Sequence, residues 1–399
     1  MKEKLVIRNF GPIKSVELEL GRFNVLIGEQ ATGKSTVAKV LAVCRYFSYI
    51  VWNDSILSSF ELGLNSWGLS EFVQNGTHIH YDCFHYSFTV NCSTIYDSDF
   101  DPVDDSPFEY DLPTFSVNLA PKSKEFQNLL AEAEKLRPKE GQPNPYGSPG
   151  WPIPTSFFQN DVANIMENPF YLPTERGLQS VFSLGKNSIQ NISDSLFNQF
   201  AQLDQVARQF GLETDIEPLD ITYKNEQGKG YIRKKTEDKF FSLYNAASGY
   251  QSTIPVVLLI RYYNEMRKKK KTFIIEEPEL NLFPAAQQRL MQFMVDKTVT
   301  HGNTILLTTH SPYTLTSLNN MMYAYQIGKK HDIETDKVVK RRYWIDPNEV
   351  SAYMLLANGT CEDVFDREEG LIKAEKIDGI TGVLNEQFNA LLNIELEEK

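Results

Sequence analysis

Phe23-Asn24-Val25-Leu26-Ile27-Gly28-Glu29-Gln30-Ala31-Thr32-Gly33-Lys34-Ser35-Thr36 decides the fold. Its first five residues are apolar save Asn24, as a strand buried on both faces requires. The next eight fit G-x-x-x-x-G-K-[ST]. Residues 36–47 then carry Val37, Val40, Leu41 and Val43 at helical spacing. A strand that runs through a glycine loop into a helix is the context in which this pattern holds phosphate. Loop N–H groups and the helix N-terminus point at phosphate oxygens, and the helix dipole favours the negative charge. On this reading Gly28, Gln30, Ala31, Thr32, Gly33 and Thr36 shape the loop. Lys34 reaches the β- and γ-phosphates of ATP, and Ser35 ligates Mg²⁺.

Hydrolysis needs carboxylates beside such a loop. Thr272-Phe273-Ile274-Ile275-Glu276-Glu277-Pro278-Glu279 is an apolar strand that ends in acids. Glu276 is expected next to Mg²⁺ through water, and Glu277 as the general base for the attacking water. The other reading is a solvated acidic turn ahead of a helix, where Glu is common; the glycine loop in the same chain weighs against it. Asn303-Thr304-Ile305-Leu306-Leu307-Thr308-Thr309-His310-Ser311-Pro312 is a further buried strand. His310 at its end is placed to donate a hydrogen bond to a γ-phosphate and sense hydrolysis, or else to cap the next helix.

These motifs, in this order, resemble the ABC-type ATPase heads of the Rad50 and SMC class. More narrowly they look like the OLD-like ATPases of bacterial anti-phage defence, with Septu PtuA-like ATPases the nearest likeness. The residues that carry it are Ile7-Arg8-Asn9-Phe10-Gly11-Pro12-Ile13, the glycine loop, Tyr171-Leu172-Pro173-Thr174-Glu175-Arg176, Glu276-Glu277-Pro278-Glu279 and Thr308-Thr309-His310-Ser311-Pro312. The resemblance implies an α/β fold: an ABC/Rad50/SMC-head-like P-loop ATPase with a mixed β-sheet and an inserted β and helical region. It also implies a signature segment, for which Ala247-Ser248-Gly249-Tyr250-Gln251-Ser252 is the match. Ser248, Gly249 and Gln251 would then meet the nucleotide of a second copy in a head-to-head dimer, with hydrolysis coupled to association. The sequence departs from the family pattern at Ala31 and Tyr250, where glycine is usual. Asn281 and Phe283 stand where OLD-like proteins often place histidines. Phe10 and Arg8 are the candidates for stacking on adenine. No DxD follows Glu369-Gly370, so no Toprim nuclease is expected in the chain. The implied effector is a separate protein, an HNH or Toprim-type nuclease. The alternative class is a DNA-repair or DNA-tethering ATPase like RecF or Rad50.

Bulk composition narrows the partners. With 399 residues and 41% hydrophobic content, the chain can bury one large or two medium cores. A net charge of -12 makes it a poor bulk binder of nucleic acid. A local patch, Arg267-Lys268-Lys269-Lys270-Lys271 with Lys340-Arg341-Arg342, keeps nucleic acid open beside the reading of a solvated loop. The four cysteines are scattered, which fits a reducing cytoplasm. No apolar run reaches membrane-crossing length. His78, His80, Cys83 and His85 fall on a β-rich stretch, where ordinary strand side chains are favoured over zinc ligands. Four parts are expected: residues 1–48 with the glycine loop, an insertion over 49–239 that is β-rich and then helical, the core resumed over 240–340, and a helical tail over 341–399.

Overall fold

The computed structural model describes residues 3–45, 56–94, 113–135, 169–174, 194–267, 270–299, 301–373 and 387. Strand β1 (Glu3–Phe10) and β2 (Ile13–Leu20) form a hairpin whose alternation buries Leu5, Ile7, Val16 and Leu18 on one face. Then come β3 (Phe23–Ile27), α1 (Lys34–Arg45) and α2 (Ile56–Ser66). Strands β4 (Val73–Asp82), β5 (Tyr86–Thr94) and β6 (Pro113–Pro121) follow, with α3 (Lys124–Lys135) after them. Next are β7 (Phe170–Leu172), α4 (Asp194–Arg208), β8 (Thr214–Ile216), β9 (Ile221–Glu226), β10 (Lys229–Lys234) and β11 (Phe241–Ser242). The last group is α5 (Ser248–Arg261), β12 (Thr272–Glu276), α6 (Pro284–Val299), β13 (Thr304–Thr309), α7 (Pro312–Gly328), α8 (Asp332–Val338), β14 (Val350–Leu355) and β15 (Cys361–Asp363).

The central sheet has the order β15-β14-β3-β13-β12-β7 and is parallel except for the edge strand β15. It is an α/β sheet with the glycine loop leaving β3 into α1. Both faces are covered. Phe23, Val25 and Ile27 of β3, with Phe273, Ile275, Ile305 and Leu307, pack against α5, α6 and α7. Leu26, Ile274, Leu306 and Tyr171 point the other way, into a second core with α1 and the hairpin sheet. The polar residue in β3 is accounted for: buried Asn24 bonds the backbone of Gly21 and the carbonyl of Ile305.

Residues read as core and residues read as insertion share one sheet. The second sheet runs β2-β1-β4-β5-β6, so residues 3–20 pair directly with residues 73–82. Strand β7, also from that middle stretch, lies in the central sheet beside β12. The helical tail expected over 341–399 needs correcting in its described part. Val350–Leu355 is instead a strand of the central sheet, parallel to β3, and β15 pairs with it. The amphipathic spacing that suggested a helix lies at residues 380–392, outside the described residues. The helical part expected in the 49–239 insertion includes α4, described from Asp194 onward.

A buried ion pair ties the sheets together. Arg45, at the end of α1, binds the carboxylate of Glu3 and the hydroxyl of Thr272, and Tyr81 donates to the same Glu3 carboxylate. Four separate elements thus meet on one guanidinium–carboxylate pair.

Candidate nucleotide site at the carboxyl edge of the central sheet

Register brings the predicted residues to one edge. Ile27 pairs with Thr309, and Thr308 pairs with Glu276. The glycine loop, the Glu276-Glu277 pair and His310 therefore leave the sheet side by side, at the strand ends where open α/β sheets bind ligands.

The loop's shape depends on backbone that most side chains resist. Gly28 has φ +147° and Gly33 has φ +94°. A Cβ on Gly28 would fall 2.4 Å from the Leu355 carbonyl oxygen, so β14 closes one wall of the loop. Ala31 also has positive φ, +61°, in the left-handed region that glycine occupies freely. The departure from glycine at this position thus keeps the loop conformation at a cost of about 1 kcal/mol. Thr32 Oγ1 donates to the Glu29 carbonyl at 2.9 Å. The Lys34 ammonium lies over the loop, donating to the carbonyls of Gly28 at 2.9 Å and Glu29 at 2.7 Å. Burial draws it below the usual lysine range, against the opposing pull of the Glu277, Glu276 and Glu279 carboxylates. Ser35 is exposed at the first turn of α1.

The acidic strand end is held firmly. Glu276 is buried, and Thr174 N donates to its Oε2 at 3.4 Å, which brings in the segment after β7. Glu277 has φ +41°, a strained setting for a β-substituted residue. Its N–H is fixed by the Thr308 carbonyl at 3.0 Å and hydroxyl at 3.2 Å. Its Oε1 lies 3.3 Å from His310 Nε2. A carboxylate only accepts, so the tautomer with the proton on Nε2 makes this bond. Burial and the Lys34 charge hold His310 below the usual histidine range, which keeps it neutral near pH 7; Glu277 and the Gly28 carbonyl pull the other way. His310 is not the helix cap. Ser311 caps α7, its hydroxyl accepting from Thr314 N, and this leaves the imidazole to the site.

Lys34, Glu276, Glu277 and His310 are brought together; Ser248, Gly249 and Gln251 lie at the start of α5. Ser248 is the first helical residue and exposed; Ala247 holds the cap position without a side-chain bond. Gln251 donates to the carbonyls of Tyr244 and Ala246, folding back on its own segment. The link between the two groups is residues 277–283. Ser252 Oγ donates to the Leu280 carbonyl at 2.9 Å, and Gln287 Nε2 to that of Leu282 at 2.9 Å. Gly249 is in tight contact here: a Cβ on it would lie 2.6 Å from the Asn281 carbonyl oxygen. Gly249→Ala is expected to cost about 1–3 kcal/mol by overpacking and to shift this loop. A thermal melt unchanged from wild type would contradict that contact.

Phe10 is fully buried, edge-on to Phe72, and so cannot stack on adenine. Phe283 and Tyr313, by contrast, are 80% and 53% exposed. Glu279, the last acid of the Glu276-Glu277-Pro278-Glu279 motif, is among the most enclosed acids near the site. Its Oε1 accepts from Thr309 Oγ1 at 2.5 Å and His310 N at 3.3 Å. Burial pushes its carboxyl up, partly offset by those bonds. The signal for it was the third glutamate of the acidic run, at the start of the connection to α6. On the outer sheet His78 bonds Asn91, His80 bonds Thr89 and His85 bonds Ser123. The described residues contain no His, Cys, Asp and Glu group that could hold a metal by themselves. The oxygen donors Ser35 and Glu276 do suit a hard cation completed by phosphate and water, which fits Mg²⁺ rather than zinc. No described helix is long and apolar enough to cross a membrane.

Comparison with known proteins adds one family match. Residues 151–315 match the AAA ATPase domain family, a span that holds Glu276, Glu277 and His310 and begins after the glycine loop. No curated protein matches. Among solved structures, the chain is similar to an SMC head domain from Thermotoga maritima, with 12% identity and a TM-score of 0.37, covering 79% of this chain and 91% of that one. It is also similar to an SmcHead bound to the C-winged helix domain of ScpA, with 10% identity and a TM-score of 0.43, covering 93% and 99%. A third is an Smc head domain with an extended coiled coil bound to the C-terminal domain of ScpA, derived from Pyrococcus furiosus, with 10% identity and a TM-score of 0.38, covering 96% and 99%. With superpositions this loose, the fold rests on the strand order and the loop geometry given above. Residues 151–315 are thus similar to the AAA ATPase domain family, and they share one α/β sheet with the glycine loop.

Proposed function

We propose that this chain binds and hydrolyses ATP with Mg²⁺ as the switch subunit of an anti-phage defence system, and controls a separate effector. The observation that carries the ATPase part is the meeting of Lys34, Glu277 and His310 at one sheet edge, with His310 Nε2 3.3 Å from the Glu277 carboxylate. Backbone N–H groups of residues 28–36 and the Lys34 ammonium hold the phosphates. Ser35 and Glu276 hold Mg²⁺, which when bound neutralises phosphate charge. Glu277 orients the attacking water and accepts its proton. His310, neutral near pH 7, has one N–H; it holds Glu277 in place and can turn to the transferred phosphate only by releasing that bond. Glu277 is fixed by strained backbone in a buried frame, so this geometry is in place before substrate arrives.

Ser248 and Gly249, at the start of α5, are assigned to the nucleotide of a second copy on the motif resemblance. The uncapped start of α5 offers free N–H groups to such a phosphate. The defence role rests on the motif resemblance. Its test is a plaque assay on cells carrying the gene together with the genes that flank it. Protection is expected, and is expected to vanish with Lys34→Ala or Glu277→Gln. Protection that survives both substitutions contradicts control of the effector by nucleotide.

A further inference from the structure

We propose that Glu279 is the positioning residue for His310, holding the end of β13 so that the imidazole reaches Glu277. This rests on the ATPase reading above. The geometry is specific. One carboxylate oxygen, Oε1, takes both the Thr309 hydroxyl and the His310 backbone N–H. Thr309 is fully buried, and its hydroxyl oxygen in turn accepts from Ser311 N at 2.9 Å. Three consecutive residues are therefore set by Glu279: Thr309 and His310 directly, and Ser311 through Thr309. A second line of bonds reaches the same turn, as Ser311 Oγ donates to Gln287 Oε1 at 2.6 Å. Glu279 sits two residues after Glu277, on the backbone that also receives Ser252 from α5. A shift of that backbone, from either the signature helix or the base, reaches Thr309 and the His310 N–H through this side chain.

The other oxygen, Oε2, is buried with no hydrogen-bond partner among the described residues. Both accepted bonds fall on Oε1, so Oε2 is free to carry a proton. The neutral acid suits a brace whose work is to accept two N–H and O–H donors without adding a third charge beside Glu276 and Glu277. Glutamine can replace it, because its carbonyl oxygen accepts the same two bonds.

The experiment compares steady-state ATP hydrolysis by full-length wild type, Glu279→Gln, Glu279→Ala, Thr309→Val and the Glu279→Ala/Thr309→Val double variant, with nucleotide binding measured alongside. Glu279→Ala and Thr309→Val are expected to lower kcat by about tenfold to a hundredfold, the scale of a misplacement of about 1 Å. KM for ATP is expected to stay within about threefold, because Lys34 and its loop are untouched. Glu279→Gln is expected to retain wild-type kcat within about threefold. The double variant is expected to be no slower than the slower single one, because both act through one contact. Wild-type kcat in both Glu279→Ala and Thr309→Val would overturn the proposal. So would a Glu279→Gln variant as slow as Glu279→Ala, since the negative charge itself would then be in use. If hydrolysis is present and lost in Glu277→Gln but indifferent to Glu279, this inference alone falls. If wild type shows no hydrolysis dependent on Glu277, the ATPase reading falls and takes this inference with it.

Discussion

Glu277→Gln is expected to lower kcat for ATP hydrolysis by about 10²–10⁴-fold, with ATP affinity little changed. Glutamine matches glutamate in size and still accepts from His310 through its amide oxygen, but it cannot take a proton from water. The surrounding frame stays: the 277 N–H remains tied to Thr308, and the φ of +41° is imposed by that tie. Binding is expected to persist because the phosphate contacts come from the Lys34 ammonium and the loop N–H groups, which the substitution leaves in place. Single-turnover hydrolysis and equilibrium binding of ATP separate the two effects. Unchanged turnover would remove Glu277 from the chemistry. If the head-to-head arrangement holds, the variant is also expected to accumulate as an ATP-bound dimer, visible by sedimentation.

The largest stability effect is expected at Arg45. Arg45→Ala leaves the Glu3 carboxylate without its cation and opens a void where α1, β1, β4 and β12 meet. Breaking a buried ion pair from one side typically costs about 3–5 kcal/mol. The low end applies here, because the Glu3 side chain keeps 18% of its surface exposed. Replacing both partners with apolar residues, Arg45→Met with Glu3→Leu, is expected to cost less than Arg45→Ala alone. Denaturant unfolding measures both. A single variant as stable as wild type would show that the pair does not hold these elements together.

The parts of the site that the sequence made legible are those where one residue type answers one physical need. Glycine at 28 and 33 marks positive φ, and adjacent acids at a strand end mark a metal and a base. His310 was legible as a polar residue at the end of an apolar strand. Register between distant strands was not. Nothing in Val73–Asp82 says that it pairs with Glu3–Phe10, because alternation specifies a face and not a neighbour. Val350–Leu355 was hidden for a related reason. A short apolar run buried on both faces lacks any period, so its place beside β3 appears only in three dimensions. Glu279 was passed over because its importance lies in which donors it meets, Thr309 and His310, thirty residues away along the chain. Phe10, a stacking candidate by sequence, is ruled out by its burial, which the sequence does not announce. It closes the second core.

The most direct measurement is equilibrium binding and hydrolysis of ATP with Mg²⁺ by the wild-type chain and by Lys34→Ala. Saturable binding and slow turnover are expected in wild type, with both lost in the variant because no other cation lies over the loop carbonyls of Gly28 and Glu29 among the described residues. Binding of equal strength in Lys34→Ala, or none in wild type, would contradict a nucleotide site at this sheet edge.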